Sequence, residues 1–217
     1  AIAPKMTSVV PERVVAGCNS AVTTSMFSGF DPQRGRHYAY LESQGGGMGA
    51  RYDRDGLDGV QVHMTNTSNL PVEALENEYP LMVDRLELVP DSGGRGKFRG
   101  GLAIRKDIRV ISHTCTFATH ADRQHFPPWG LDEGEPGWCG RFLIIRAASG
   151  KAEIIPTGKV SEIELRSGDV IRIQTPGAGG WGPVAERPRH LLERDLLQGK
   201  VTPKWGIPDS QAEGENA

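Results

Sequence analysis

Between residues 81 and 174, apolar and polar positions alternate in short runs separated by glycine, proline and small polar residues, which predicts strands. Leu81, Val83, Leu86, Leu88 and Val89 alternate imperfectly with Met82, Asp84, Arg85 and Glu87, and the slip in phase predicts a half-buried strand with a bulge. Pro90-Asp91-Ser92-Gly93-Gly94 then reads as a turn, 102–111 as a second strand, and Cys115-Thr116-Phe117-Ala118-Thr119 as a third. From Gly140 the spacing is that of an all-β module, with strands over 141–147, 152–155, 162–165 and 170–174 and tight turns at Ser149-Gly150 and Ser167-Gly168-Asp169. Two stretches read as helix. In the first, Pro71 suits an opening position because its missing N–H costs nothing there, Asn69 or Leu70 lies at the cap, and Tyr79-Pro80 is the stop. In the second, Leu191, Leu192, Leu196 and Leu197 recur at helical spacing before Gly199. Tyr38 to Glu42 reads as one short strand, and residues 1–30 as connecting backbone with little amphipathic pattern.

The fold class predicted is therefore α+β and β-rich: short strands in a small barrel or sandwich-like module, a short helix near 71–77 and a C-terminal helix near 188–198. The division expected is a connecting segment with a glycine-rich loop over 1–59, left from an upstream domain; a β-rich core over 60–183; and a C-terminal helix with a frayed tail over 184–217. Composition agrees with many turns, since the 28 glycines and 15 prolines make up about a fifth of the 217 residues. Charge changes little: 25 Lys and Arg against 27 Asp and Glu give a net charge of -2, with no basic run to attract nucleic acid. Cys18, Cys115 and Cys139 form no CxxC pair, which predicts reduced thiols in a cytoplasmic protein. No apolar run approaches the ~20 residues of a membrane helix. The opening Ala1 is read as a sign of processing, a fragment or an incomplete gene model.

Candidate chemistry gathers in four places. In Gly45-Gly46-Gly47-Met48-Gly49-Ala50-Arg51, adjacent glycines can line up backbone N–H groups around an anion or carbonyl oxygen, or can simply let two backbones cross closely. Asp53, Asp55 and Asp58 have a faint calcium-loop look, but no Glu stands at the twelfth position from Asp53, and an exposed turn is the expectation. His63 precedes the first helix, on which Glu73 and Glu76 stand at i and i+3. That pair could do acid/base work, or one could face solvent while the other bonds the polar 66–69 turn. Asn66 and Asn69 carry amides that can bond both the C=O and the N–H of a cyclic amide, and they could equally be backbone staples. His120, Asp122 and His125 have ligand-like types, yet they fall in a Pro/Gly loop suited to a site mouth or subunit interface, and no metal ligands are assigned.

The run from His63 to Val110, with ESQGGGMGARYDRDG, DRQHFPPWGL and TPGAGGWG, resembles the hydantoinase B / 5-oxoprolinase family, which includes large subunits of ATP-dependent ketone carboxylases. Ala178 stands where glycine is usual and Pro183 where an acidic residue is usual. The resemblance implies the C-terminal portion of a cyclic-amide hydrolase subunit that opens hydantoin or 5-oxoproline rings with ATP. It implies a divalent metal held in an N-terminal half and a hydantoinase A-like ATPase subunit as partner, with neither ATP nor metal on this segment. Family character places Gly45, Gly46, Gly47, Arg51, His63, Asn66, Asn69, Glu73 and Glu76 in a substrate pocket, as positioning groups. The alternatives are a ketone carboxylase fragment and a non-catalytic scaffold from a split or truncated gene.

Overall fold

A computed structural model describes residues 3–19, 22–62 and 67–206. The expected tail beyond Trp205 falls mostly, and His63 and Asn66 entirely, outside the described residues. Nine strands are present among them. They are β1 (Thr23–Asp31), β2 (Arg36–Gln44), β3 (Leu81–Val89), β4 (Ala103–Val110), β5 (Cys115–His120), β6 (Arg141–Ile145), β7 (Ala152–Ile155), β8 (Lys159–Leu165) and β9 (Val170–Gln174). The helices are α1 (Ala3–Met6), α2 (Val72–Glu78) and α3 (Arg189–Leu197).

All strand pairs are antiparallel, in one sheet of order β2-β1-β5-β8 and a second of order β3-β4-β9-β6-β7. Phe27, Tyr40, Phe117 and Leu165 of the first sheet share one core with Ile108, Val110, Phe142, Ile144, Ile171 and Ile173 of the second. Phe117 and Phe142 meet across the gap with ring centroids 6.3 Å apart. The architecture is thus a β-sandwich with short helices, the α+β module expected. The bulge expected in β3 lies between Val83 and Arg85.

Residues 23–44 differ from the sequence reading. They form a full hairpin instead of connecting backbone followed by one short strand. Its turn is built by Asp31, whose Oδ1 accepts the N–H groups of Gln33 at 2.9 Å and Arg34 at 3.2 Å, and by Gly35 at φ 63°. The usual alternation is missing because β1 buries Thr23, Ser25 and Phe27 while Met26 and Phe30 face outward.

Helix α2 starts one residue later than expected, with Pro71 as the flanking residue, and it packs Leu75 into the core. Helix α3 differs in how it is held. Its leucines do not make the buried face: Leu197 is 89% exposed, while Asp195 is fully buried. Charge pairing docks this helix, as described below. Gly199 ends it at φ 67°, as expected. Among the described residues no helix is long and apolar enough to cross a membrane.

Candidate functional site

At one end of the sandwich, five loops cross closely, beside a small apolar cluster of Val14, Ala16, Ala50, Leu131 and Trp181. In the 45–51 loop, Gly46, Gly47, Met48, Ala50 and Arg51 donate their N–H groups to the carbonyls of Val60, Pro176, Leu57, Gly179 and Arg54. Gly17 and Gly179 extend the lattice: Gly17 donates to Trp129 at 2.7 Å and Gly179 donates to Gly17 at 2.7 Å. Gly94 donates to Ala178 and Gly101 to Met48. A Cβ on Gly47 would lie 2.7 Å from the Ala178 nitrogen and closer still to the Gly101 carbonyl oxygen. Glycine is required there by close approach of backbones. These five donors of the 45–51 loop are engaged within the chain, so an anion could reach those N–H groups only by displacing their carbonyl partners. Ala178, in place of the family glycine, is fully buried, and its carbonyl still accepts from Gly94.

Directly beside this crossing, a polar seam runs between the sheets. Tyr40, Glu42 and Gln44 point inward from β2 and Lys106 points inward from β4. Lys106 Nζ donates to Glu42 Oε2 at 2.7 Å, with both side chains almost wholly buried. The second Glu42 oxygen accepts the Leu70 N–H at 2.9 Å, which fixes the chain immediately after Asn69. Gln44 donates to Ser25 Oγ at 3.1 Å, while its own Oε1 and the Oδ1 of Asn19 are buried without a hydrogen-bond partner. Burial, reinforced by the Glu42 charge, pushes the Tyr40 hydroxyl well above the ordinary phenol range, so it stays protonated. Leu86 and Leu88 lie on the Lys106 side of β3 and are 49% and 39% exposed, because β3 is an edge strand.

A second charged cluster locks α3 to the crossing. Asp195 Oδ2 accepts from Arg99 Nε at 3.0 Å and from Arg187 at 2.6 Å. Asp55 accepts from Arg187 at 2.9 Å and Asp58 from Arg99 at 2.9 Å. The turn expected over 53–58 is exposed at Asp53, Arg54 and Leu57, with Asp53 paired to Arg54 at 2.6 Å, but Asp55 and Asp58 turn inward to the arginines. Burial acts to raise the Asp55 carboxyl, but the hydrogen bonds and charge of Arg187 outweigh it and hold it below the ordinary carboxylate range. Asp58 is lowered in the same way, with burial outweighed by Arg99 and Lys200.

The structure places the expected residues unevenly. Gly45, Gly46 and Gly47 lie in the backbone crossing, and Arg51 half-buried at its edge. Asn69 sits next to the seam. The two glutamates of α2 are separated in role: Glu73 is exposed, and Glu76 accepts the Val83 N–H of β3 at 2.8 Å. His120, Asp122 and His125 are exposed, with Asp122 paired to Lys159. Glu42 and Lys106 were not singled out from the sequence, although a signal existed. Lys106 occupies an apolar phase in Ile104-x-Lys106-x-Ile108-x-Val110, and a lysine so buried needs a carboxylate.

A divalent metal and ATP are implied by the resemblance. Among the described residues, no group of three or more His, Cys, Asp or Glu side chains stands ready to hold a metal ion. The buried carboxylates are already paired with cations: Glu42 with Lys106, Asp195 with Arg99 and Arg187, Asp107 with Arg105 and Arg172, Asp169 with Arg146 and Asp31 with Arg34. These residues do not fit a metal centre.

A two-sheet module with a glycine-built crossing and a polar seam can be compared with known proteins. The profile of the Hydantoinase B/oxoprolinase family matches residues 1–184, and the chain belongs to that family. An uncharacterized protein of Methanocaldococcus jannaschii is 40% identical over 92% of this chain and 33% of its own length. A Pseudomonas protein named as a putative D-/L-hydantoinase, of the B type, is 32% identical over 91% and 32%. The chain thus spans about a third of the length of these relatives. Among solved structures, the ATP-dependent caprolactamase of Pseudomonas jessenii superposes with a TM-score of 0.75 at 21% identity, covering 94% of this chain and 38% of that one. A nucleotide-free acetone carboxylase superposes with a TM-score of 0.72 at 20% identity, covering 93% and 31%. At such identities the two structures establish the shared fold.

Proposed function

We propose that this chain is the C-terminal part of a hydantoinase B-like subunit of an ATP-dependent cyclic-amide hydrolase, acting on a hydantoin or 5-oxoproline ring with an ATPase partner subunit. The observation that carries the reading is family membership over residues 1–184. It is supported by a relative named for hydantoinase activity and by a fold shared with a lactam-opening enzyme.

Within that assembly the module positions groups and leaves bond-making to the rest. The backbone crossing of Gly45, Gly46 and Gly47 sets the path of Arg51. The Lys106–Glu42 pair holds Leu70, and with it Asn69, at the mouth of the seam. An amide side chain at Asn69 or Asn66 matches a ring amide because it donates and accepts at once. His63 precedes that turn in sequence, and Glu73 and Glu76 stand on the helix behind it. ATP is assigned to the partner subunit and the metal to the remainder of the polypeptide.

Likeness to acetone carboxylase favours ketone carboxylation as a second reading. One experiment separates them. The chain is placed within a complete family subunit, combined with an ATPase partner, and assayed for ADP formation with hydantoin, 5-oxoproline or caprolactam, and with acetone plus labelled bicarbonate. The proposal expects ADP formation coupled to ring opening. Label fixed into an organic acid would establish the carboxylase instead, and inertness on every substrate would leave a scaffold.

A further inference from the structure

The inner face of the four-stranded sheet is core, and strand register fixes what stands on the outer face of β2, β1 and β5; the edge strand β8 places Glu164 beside Thr116 and Lys159 beside His120. Met26 lies between Leu41 and Ala118, Ser28 between Ala39 and Thr116, and Thr24 between Ser43 and His120. Phe30 faces His37, their rings edge-on with centroids 5.2 Å apart. None of these positions on β2, β1 and β5 is Asp, Glu, Lys or Arg. Leu41 is 62% exposed, Phe30 46% and Met26 38%, so the described residues leave this face open.

The other sheet supplies an internal control. Its outer face carries Arg105, Asp107, Arg109 and Arg172, with Arg105 and Arg172 both paired to Asp107 and Arg109 paired to Asp84. An antiparallel sheet with one wet face normally shows polar side chains there, as this second sheet does. An open, uncharged, partly aromatic sheet face marks an interaction surface.

We propose that the outer face of β2-β1-β5 docks the remainder of the hydantoinase-B-type polypeptide, through an apolar, uncharged surface of that remainder. The proposal rests on the family reading above, since relatives carry roughly twice as much further chain. Size argues for this occupant over a second copy. Three strands about 4.8 Å apart and seven residues long at about 3.4 Å each give a footprint of about 300 Å². Counted on both partners this is about 600 Å², at the low end for domains tethered in one chain. Separately associating partners need about 1,200–2,000 Å².

Two methionines make the test internal. Met26 on this face and Met82 on the opposite sheet are 38% and 41% exposed, so in the isolated chain hydroxyl radicals should oxidise them at similar rates. The same measurement is made on a full-length polypeptide in which this chain replaces the matching third of the Methanocaldococcus relative. The proposal expects Met26 oxidation to slow at least about fivefold there, with Met82 unchanged. Equal Met26 rates in both would overturn it. In the isolated chain, Leu41→Glu should cut binding of a hydrophobic dye severalfold, whereas Ile154→Glu, 70% exposed on the other sheet, should not. Unchanged dye binding by Leu41→Glu would overturn the proposal. Met26 protection that grows with concentration of the isolated chain would also overturn it, by assigning the face to a second copy. Ring-opening activity is assayed separately, so an active full-length protein with an unprotected Met26 would reject the docking face and leave the functional reading standing.

Discussion

The sandwich and the loop crossing are held together by opposite means. In the sandwich, cohesion comes from side chains: Phe27, Phe117, Phe142, Ile171 and Ile173 are completely buried, and each contributes about 1.5–3 kcal/mol. In the crossing, a small cluster around Leu131 and Trp181 contributes too, but the glycines remove side chains so that carbonyls and N–H groups of separate loops can bond directly. The first kind of packing tolerates exchange of one apolar residue for another of similar volume. The second does not, because the neighbour of a new Cβ is rigid backbone. The glycine-rich motifs of the family lie in the second region, and their spacing therefore records a backbone path.

The largest expected effect breaks the crossing. Gly47→Ala should yield little folded protein, a loss beyond about 4 kcal/mol, because its Cβ would sit against Ala178 and Gly101. Gly150→Ala is the matched control. Gly150 has φ 65° and nothing within 4 Å of a built Cβ, so it should cost about 1–2 kcal/mol from backbone strain alone. Urea unfolding of both variants gives the comparison directly.

Breaking the sandwich comes next. Phe117→Ala should cost about 3–5 kcal/mol while leaving a folded protein. Two of the three thiols let the two regions be followed apart, since Cys18 lies beside the crossing and Cys115 in the sandwich core. Burial pushes the Cys115 thiol up to about 11, which slows its alkylation at neutral pH, so labelling is best compared between variants. Phe117→Ala should speed labelling of Cys115 more than that of Cys18.

The polar seam joins the regions and should respond as a unit. Lys106→Met alone should cost about 3–5 kcal/mol, because it strands Glu42 without its cation. Adding Glu42→Gln should recover most of that loss, since the amide is neutral and its oxygen can still accept from Leu70. Equal instability of single and double variants would show that the pair does not act together.

The smallest effect sharpens the charged lock of α3. Asp55 and Asp58 have depressed folded-state pKa values, so the stability they contribute is present above their unfolded values. It is lost as pH falls below about 4 and through the folded values. Arg187→Met should flatten that acid limb of a stability-against-pH curve. A limb as steep as wild type would remove Asp55 from the account.

Much of this was legible in the sequence, for reasons visible in particular residues. From β3 onward, alternation and turn glycines marked every strand: β4, β5, β6 and β9 bury one face on a single core, and the edge strands β3 and β7 keep the same phase although only Leu81 and Ile155 are buried there. The hairpin of β1 and β2 was hidden because Thr23 and Ser25 point inward while Met26 and Phe30 point outward, which cancels the pattern. That same inversion is what leaves an apolar outer face. Helix α3 showed leucines at helical spacing, yet Asp195 holds it, and its partners Arg99 and Arg187 lie on other elements. Glu42 and Lys106 are 64 residues apart, and only the two-sheet topology brings them together.

The most direct measurement is native-state hydrogen exchange of the N–H groups of Gly47, Ala50, Gly94, Gly101 and Gly179. Each donates to a carbonyl of another loop at 2.7–3.1 Å. If the crossing is a backbone-built platform, these amides exchange only through global unfolding, with the same free energy as Ile171 and Phe117 in the sandwich. Exchange through local opening, with the sandwich amides still protected, would show that the glycine motifs are ordinary flexible loops and contradict the account.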